Sequence, residues 1–222
     1  MSDALQLQIP PRLIGLTGAV GAGKDSTAAV LQRAGWRGMA FADALRIEVA
    51  EAWGVDIRTF TTRATKDRPL ESLRAGWCMH KQFVAWLAYQ GASLHDLRSP
   101  RWVMQTWGSF RRSADPLYWV TQVEHWITYQ RSTGHTRLVI SDVRLPVEAN
   151  MLQRMGASLV RVHRPDLQPL ENATAGHESE QHATLIVDAD LHNDGDLQHL
   201  EAEVARVLRS LSQTLTLREA TP

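Results

Sequence analysis

Residues 13–27 read LIGLTGAVGAGKDST, an apolar run that breaks into glycines and then restarts with a lysine. The apolar part is short and lies between Pro10-Pro11 and Gly18, which is typical of a strand buried on both faces of a sheet. From Lys24 to the residue before Gly35 the composition is that of a helix ending at a glycine. The stretch therefore predicts a strand, a glycine-rich turn and a helix in direct succession.

The glycine spacing in this turn is G-x-x-x-x-G-K, from Gly18 to Gly23 and Lys24, which is the Walker A pattern. Glycines are needed because backbone N–H groups must turn inward around a polyphosphate, and a Cβ atom at Gly21 or Gly23 would block that approach. The positive end of the following helix and the Lys24 ammonium would both face the phosphates. A plain turn is the alternative, but the strand, spacing, lysine and helix together favour nucleotide phosphate binding.

Asp25 departs from this pattern, because a serine or threonine normally follows the lysine and places its hydroxyl on Mg²⁺. Ser26 and Thr27 come directly after it. A carboxylate beside a bound triphosphate would repel it unless a cation lies between them. We therefore expect Asp25 either to approach Mg²⁺ or to pair with a basic group.

The composition narrows the class of protein. The 222 residues include 24 Lys and Arg against 24 Asp and Glu, so no net charge favours nucleic acid. One cysteine, Cys78, excludes an intramolecular disulfide. No apolar run approaches the ~20 residues of a membrane span, and the opening MSDALQLQIPPR lacks a secretory signal. We expect a single α/β domain in the cytoplasm, with a small-molecule substrate and neither nucleic acid nor membrane as partner; a homodimer is left open.

A second strand is predicted over residues 37–42, followed by Asp43 and a helix over 44–53. Side chains at the carboxyl ends of parallel strands line the ligand crevice of an open α/β sheet. Asp43 and Arg46 are therefore candidates for substrate contact. The alternative for Asp43 is a simple helix N-cap, and one residue can serve both roles.

A helical insert is predicted between about residues 55 and 132, since this segment is too long for an ordinary connection. It holds an apolar helix over 79–89 and several of the eight tryptophans, which we expect to be core residues. Ser99-Pro100 predicts the start of another helix, and Asp115-Pro116 predicts the start of the next.

Two adjacent arginines, Arg111 and Arg112, follow the point at Gly108 where the first of these helices is predicted to end. Cations at this position can neutralise the negative end of a helix. Two guanidinium groups between helix ends also suit a phosphate clamp, and we favour this second interpretation.

Asp142 follows the apolar strand predicted over 138–141, a position like that of the Walker B aspartate that holds Mg²⁺.

None of the nine histidines has the spacing of a recognised zinc site, so no zinc centre is expected. The remaining predictions are a helix over 146–155, a strand over 158–163, a lid-like loop over about 164–182, a strand over 184–187, and a helix over 197–211 with a frayed tail.

Five pieces occur in one order: GAVGAGKDST, FADALR, SPRWVMQTWGSFRRSADPLYWV, VISDVRLPVEA, and RVHRP leading to HESE. Together they resemble the phage deoxynucleoside monophosphate kinases, a branch of the P-loop nucleoside monophosphate kinase fold. The resemblance spans residues 13 to about 195. Its most specific part is the segment DVR-x-P-x-E-A, which begins at Asp142.

The sequence departs from the family pattern at several positions. Ala44 and Arg46 stand where the family usually has proline and lysine, and Leu145 and Val147 stand where phenylalanine and asparagine are common. Ser109-Phe110 replaces a threonine-acid pair. The last departure leaves open which of the two following arginines contacts substrate.

The resemblance implies γ-phosphoryl transfer from ATP to a deoxynucleoside 5′-monophosphate, with ATP and Mg²⁺ as cofactors. It implies catalytic roles for Lys24, Arg144 and Asp142, and Mg²⁺ binding by Asp25 and Asp142, partly through water. The residues expected to bind ATP are Gly18, Gly21, Ala22, Gly23, Lys24, Asp25, Ser26 and Thr27. The residues expected to bind the acceptor are Asp43, Arg46, Arg63, Arg68, Gln105, Trp107, Arg111, Arg112, Trp119 and Glu178.

Two alternatives share the phosphate loop. A dephospho-coenzyme A kinase has a similar glycine pattern and an aspartate after its second strand, but the tryptophan-containing helix and the DVRLPVEA segment speak against it. A nucleotide-sensing or nucleic-acid-associated ATPase would use the loop without a small-molecule acceptor. The zero net charge and the lack of a basic tract disfavour this second alternative.

Overall fold

A computed structural model of the protein describes residues 12–165 and 183–220, apart from the side chains of residues 63, 215 and 217–220. The chain divides into two compact units. The first comprises the residues up to Ala40 and from Glu124 onward, and the second comprises Phe41–Val123.

The first unit is built around a five-stranded sheet in which every pairing is parallel. Its strands are β1 (Leu13–Thr17), β2 (Arg37–Ala40), β3 (Leu138–Ser141), β4 (Ser158–His163) and β5 (Ala189–His192). They lie in the order β2-β3-β1-β4-β5, so β1 is central. All of β1 is buried because helices cover both faces of a parallel sheet, which explains its uninterrupted apolar run. The predicted α/β class with a P-loop on a parallel sheet is confirmed.

The described helices are α1 (Lys24–Arg33), α2 (Phe41–Trp53), α3 (Arg58–Thr61), α4 (Lys81–Tyr89), α5 (Pro100–Ala114), α6 (Tyr118–Ser132), α7 (Pro146–Arg154) and α8 (Leu197–Ala220). None of the helices within the described ranges is long and apolar enough to cross a membrane.

Helices α1 and α8 cover one face of the sheet, where Leu31 and Leu200 join Ile14 and Val160 in a single apolar cluster. Helix α7 covers the other face so closely that a Cβ atom at Gly15 would lie 3.0 Å from Cδ1 of Leu152. These layers hold β1 rigidly. The loop that follows β1 is therefore anchored at both ends, by the buried strand and by α1.

The second unit is helical, with short 3₁₀ turns at Arg63–Thr65, Glu71–Leu73 and Ala75–Trp77 between α3 and α4. Its core is aromatic: the ring centroids of Phe83 and Trp107 are 4.8 Å apart, and Trp53 packs edge-on against both. Trp107 is 1% exposed, as expected for a core tryptophan.

The N-terminal boundary of α5 was predicted correctly and its C-terminal boundary was not. Ser99 caps the helix by accepting a hydrogen bond from the Trp102 N–H, with Pro100 at the first helical position. The helix continues through Gly108 to Ala114, so Arg111 and Arg112 lie in its last turn rather than after its end.

Three other boundaries differ from the predictions. Helix α2 begins at Phe41, so Asp43 lies in its first turn and is not the cap. Residues 184–187 do not form the last strand; it is Ala189–His192, and Ile186 is 84% exposed. Helix α8 continues to Ala220, nine residues past the predicted end at Leu211. Most of the predicted lid-like loop, from residue 166 to 182, lies outside the described residues.

Candidate active site

The turn after β1 has the backbone conformation that its glycines predicted. Gly18, Gly21 and Gly23 have φ angles of 134°, 85° and 100°, which L side chains rarely adopt. A Cβ atom at Gly18 would also lie 2.4 Å from the carbonyl oxygen of Val162. The loop is therefore specified both by its own backbone angles and by its close approach to β4.

Asn193, directly after β5, holds the loop from the other side. Its Nδ2 donates a hydrogen bond to the carbonyl of Ala22 at 2.9 Å, and a Cβ atom at Gly23 would lie 2.1 Å from that nitrogen. Its own N–H donates to the carbonyl of His163 at 2.7 Å. Asn193 was not predicted as a site residue, and its only signal in the sequence is an amide side chain directly after an edge strand.

Lys24 opens α1, and its Nζ donates to the carbonyls of Gly18 at 2.7 Å and Ala19 at 3.0 Å. The same nitrogen lies 3.9 Å from Oδ1 of Asp142. Burial lowers the pKa of Lys24, and the nearby Asp142 carboxylate partly opposes this effect. The structure therefore brings together the lysine of the phosphate loop and the aspartate that directly follows β3.

Asp142 and Arg144 form a two-pronged ion pair at this edge of the sheet. Arg144 Nε and Nη2 donate to the two Asp142 carboxylate oxygens at 2.9 Å and 2.7 Å. Asp142 has a φ of 67°, the only positive φ among the described non-glycine residues. Burial lowers the pKa of Arg144, but the hydrogen bonds and charge of Asp142 outweigh it and raise that pKa overall.

Glu148, in the first turn of α7, fixes the backbone between the strand and the helix. Its Oε2 accepts hydrogen bonds from the N–H groups of Arg144 at 2.7 Å and Leu145 at 3.0 Å. Burial raises the pKa of Glu148 to about 7, against the two backbone hydrogen bonds, which lower it. Pro146, at the first helical position, has no N–H of its own that would need a partner there.

This pKa predicts a pH-dependent stability. A folded-state pKa of about 7, above the ordinary 4.5, means that protonated Glu148 contributes stability that is complete below pH 4.5 and is lost as the pH rises through 7. The side chain of a Glu148→Gln variant stays neutral at every pH. We therefore expect its free energy of unfolding, relative to that of the wild type, to increase by about 3 kcal/mol as the pH rises from about 4.5 to 8. Urea unfolding of both proteins across this range measures the difference. Glu201→Gln, at an exposed site, is the control. If the difference in unfolding free energy between Glu148→Gln and the wild type does not change with pH, the backbone hydrogen bonds keep Glu148 ionised and the prediction is wrong.

The start of α1 offers oxygen ligands of the type that Mg²⁺ prefers. Asp25 and Ser26 are exposed, whereas Thr27 is buried and its hydroxyl donates to the carbonyl of Gly23 at 3.0 Å. The Asp25 carboxylate is near enough to contribute to raising the pKa of Arg144. Mg²⁺ commonly takes one or two carboxylates together with water and phosphate oxygens, so Asp25 and Asp142 fit such an ion. Across residues 12–165 and 183–220 no cluster of three metal-binding side chains occurs.

The predicted acceptor residues whose side chains are described all lie in the second unit, at varied positions. Arg46 Nη1 donates to Asp43 Oδ1 at 2.6 Å, so these two candidates form an ion pair. Arg68 and Gln105 are exposed, whereas Trp119 is buried. The side chain of Arg63 and all of Glu178 lie outside the described residues.

A cavity of about 280 Å³ in the second unit is lined by Glu48, Glu51, Ala52, Met79, His80, Trp107 and Arg111. Glu48 is its central polar group, because Trp107 Nε1 and Arg111 Nε both donate to Oε2 at 2.8 Å and the Tyr118 hydroxyl donates to Oε1. Glu48 and Tyr118 were not predicted. The sequence did contain a signal for Glu48: it lies four residues from both Ala44 and Ala52, so it shares their buried face of α2, where a charged side chain needs a partner.

Solved structures similar to this chain include three proteins. A dephospho-CoA kinase from Campylobacter jejuni is 10% identical over 91% of this chain and 98% of that one, with a TM-score of 0.46. A gluconokinase from Sinorhizobium meliloti 1021 is 16% identical over 94% of this chain and 97% of that one, with a TM-score of 0.43. TT1252 from Thermus thermophilus is 19% identical over 96% of this chain and 100% of that one, with a TM-score of 0.43. A comparison with curated proteins finds no match.

The family comparison is more specific. A family model described as deoxynucleotide monophosphate kinase matches residues 84–204, which is more than half of the chain. The match includes the helix that carries Arg111 and the strand that leads to Asp142. On this match, the chain belongs to the deoxynucleotide monophosphate kinase family.

Proposed function

We propose that the protein transfers the γ-phosphoryl group of ATP to a deoxynucleoside 5′-monophosphate, giving the diphosphate and ADP. The observation that carries the proposal is the grouping of Lys24, Asp142 and Arg144 at the carboxyl edge of a parallel sheet, in a chain of this kinase family. A kinase needs these charges together, because negative charge spreads over the transferring group in the transition state.

The proposed chemistry requires positioning more than acid or base catalysis. The acceptor phosphate has a second pKa near ~6 and is largely ionised at neutral pH, so its oxygen is already a nucleophile. Two phosphates that repel each other must instead be held in line and their charge neutralised. We assign the transferring phosphate to the loop N–H groups and Lys24, and the developing charge to Arg144.

Mg²⁺ would be held by Asp142 and Asp25, directly or through water, and when bound it would offset the charge of the phosphate oxygens. The pairing of Asp142 with Arg144 then has a second use, since it fixes the orientation of the carboxylate. We assign acceptor binding to the helical second unit, where Asp43, Arg46 and Arg111 are the polar candidates.

A coupled assay with ATP and each of the four common deoxynucleoside monophosphates tests the proposal. We expect ADP formation that depends on at least one of them, with the deoxynucleoside diphosphate as the second product. Dephospho-coenzyme A and gluconate serve as comparison acceptors. Turnover with either of these and none of the monophosphates would overturn the proposal, as would ATP hydrolysis that no acceptor stimulates.

A further prediction concerns Asp25. If its carboxylate helps to hold Mg²⁺, Asp25→Asn should raise the Mg²⁺ concentration for half-maximal activity by about tenfold while ATP affinity is largely kept, because one of two carboxylates is neutralised. Titration of Mg²⁺ at saturating ATP measures this. Asp56→Asn, at an exposed site in the other unit, is the matched control. An unchanged Mg²⁺ requirement would mean that Asp25 is structural and that other groups hold the metal.

A further inference from the structure

The Glu48 carboxylate receives donors from two helices other than its own. Trp107 and Arg111 lie on α5 and Tyr118 begins α6. Burial raises the pKa of Tyr118 to about 12, helped by its hydrogen bond to Glu48, so the hydroxyl stays a donor at neutral pH. Both carboxylate oxygens are thus engaged, and the side chain has a single defined orientation.

This arrangement fixes Arg111 through one side of its guanidinium only. Nε donates to Glu48, and the group lies 4.8 Å from the Tyr118 ring centroid and 5.3 Å from that of Trp107. Within the described part of the chain, neither terminal nitrogen, Nη1 or Nη2, makes a hydrogen bond. Two parallel N–H donors on a planar fork match the oxygens of a phosphate group.

Arg112 lacks this support. It is exposed, and its guanidinium folds back along α5, 3.6 Å from where a Cβ atom at Gly108 would lie. No acidic side chain of the described residues pairs with it. The neighbouring arginines therefore differ: one is oriented by a carboxylate beside a cavity, and the other is a solvated surface side chain.

His80 also lines this cavity, and its ring is held in one orientation. His80 Nδ1 accepts a hydrogen bond from the Phe83 N–H at 3.2 Å, so the neutral ring carries its proton on Nε2. The ring is held edge-on against Trp107 and Phe110. Arg111 and His80 thus both line the cavity, with Met79 beside them.

We propose that Glu48 is a positioning residue that orients Arg111, and that Arg111, rather than Arg112, binds the phosphate of the acceptor nucleotide in this cavity. The inference deepens the proposed function and rests on it for the identity of the acceptor. Glu48 acts through Arg111 and does not itself touch the substrate.

The first test compares Glu48→Gln with the wild type. The amide keeps the size of the side chain but loses the charge-assisted hydrogen bonds, so we expect the KM for the deoxynucleoside monophosphate to rise by about 10- to 100-fold. The KM for ATP should stay within about twofold, because the phosphate loop is unaltered. Glu71→Gln, an exposed glutamate paired with Arg74, is the matched control and should behave like the wild type. An unchanged acceptor KM, or an equal rise for ATP, would overturn the inference.

A double-mutant cycle separates positioning from a merely structural role. Arg111→Ala should raise the acceptor KM at least as much as Glu48→Gln, and the double variant should match Arg111→Ala within about twofold, since Glu48 has nothing left to orient. Additive effects would mean that Glu48 acts independently of Arg111. Arg112→Ala should change the acceptor KM by less than about threefold, and a larger effect there than at Arg111 would reverse the assignment.

Two further measurements keep the test decisive. If Glu48→Gln unfolds, Tyr118→Phe removes one hydrogen bond from Glu48 without uncovering a charge, and we expect a rise of about 3- to 10-fold in acceptor KM. Binding of inorganic phosphate by calorimetry distinguishes the two proposals. This binding is measured with a non-hydrolysable ATP analogue present, so that the phosphate loop is already filled. If the wild type phosphorylates no monophosphate, but binds phosphate and loses that binding in Arg111→Ala and Glu48→Gln, the proposed function is overturned and the site is kept. Phosphate binding that neither substitution weakens would overturn the site.

Discussion

Lys24→Ala is expected to reduce phosphoryl transfer by on the order of a thousandfold or more. Among the described residues, the Lys24 ammonium donates to the loop carbonyls of Gly18 and Ala19 and lies 3.9 Å from Asp142 Oδ1, and we propose that it meets the transferring phosphate from this position. Its removal takes away the one ammonium that the phosphate loop itself carries, and with it the charge that we propose stabilises the transferring phosphate.

The fold should survive this change. The ammonium makes hydrogen bonds worth about 1–2 kcal/mol, and the two carbonyls can turn to water when it is absent. Steady-state rates and thermal unfolding should be measured together, with Lys81→Ala, at an exposed position, as the control. A well-folded Lys24→Ala protein with normal turnover would remove the phosphate loop from the mechanism.

Arg144→Ala should lower kcat by about 100- to 1,000-fold and raise the acceptor KM much less. Arg144 is held by both Asp142 oxygens through Nε and Nη2, so its Nη1 is left to interact with charge that develops during transfer. An interaction made only in the transition state affects kcat, whereas one made also in the ground state affects KM.

Arg144→Lys tests the geometry of this pair. A lysine keeps the charge but cannot hold both carboxylate oxygens with a planar fork, so we expect little recovery of kcat. Arg154→Ala, at an exposed position on α7, is the matched control and should leave both constants unchanged. If Arg144→Ala raises only the acceptor KM, Arg144 belongs to ground-state binding.

The parts of the fold that were predicted correctly are those with local signals. The buried strands Leu138–Ser141 and Ser158–His163 were predicted to the residue, because apolar runs between polar residues mark strands covered on both faces. The last strand was misplaced because residues 184–187 have higher β propensity than Ala189–His192. The position of the strand is instead set by its pairing with β4. Asp188, next to the strand, exchanges hydrogen bonds with Leu159, and Leu191 within it is 1% exposed.

The same contrast holds for the candidate site. The phosphate loop could be predicted because its glycines, lysine and helix are adjacent in sequence. Glu48 could not be assigned a partner, since Arg111 is 63 residues away and only tertiary packing brings them together. The end of α5 was missed for a related reason. Glycine weakens a helix locally, but Phe110 beyond it packs against Phe83 and Trp86, and this burial outweighs the local cost.

The contact between Asn193 and the phosphate loop links the start of the chain to its far end. The loop is encoded within the first 27 residues, yet a partner 171 positions after Ala22 restrains it. During synthesis the loop cannot reach its restrained form until the edge strand β5 has emerged and docked. Nucleotide binding should then oppose detachment of that strand in the finished protein, because a ligand that binds only the assembled loop stabilises everything the loop depends on. Hydrogen exchange along Ala189–His192 would report this coupling as slower exchange when ATP is present.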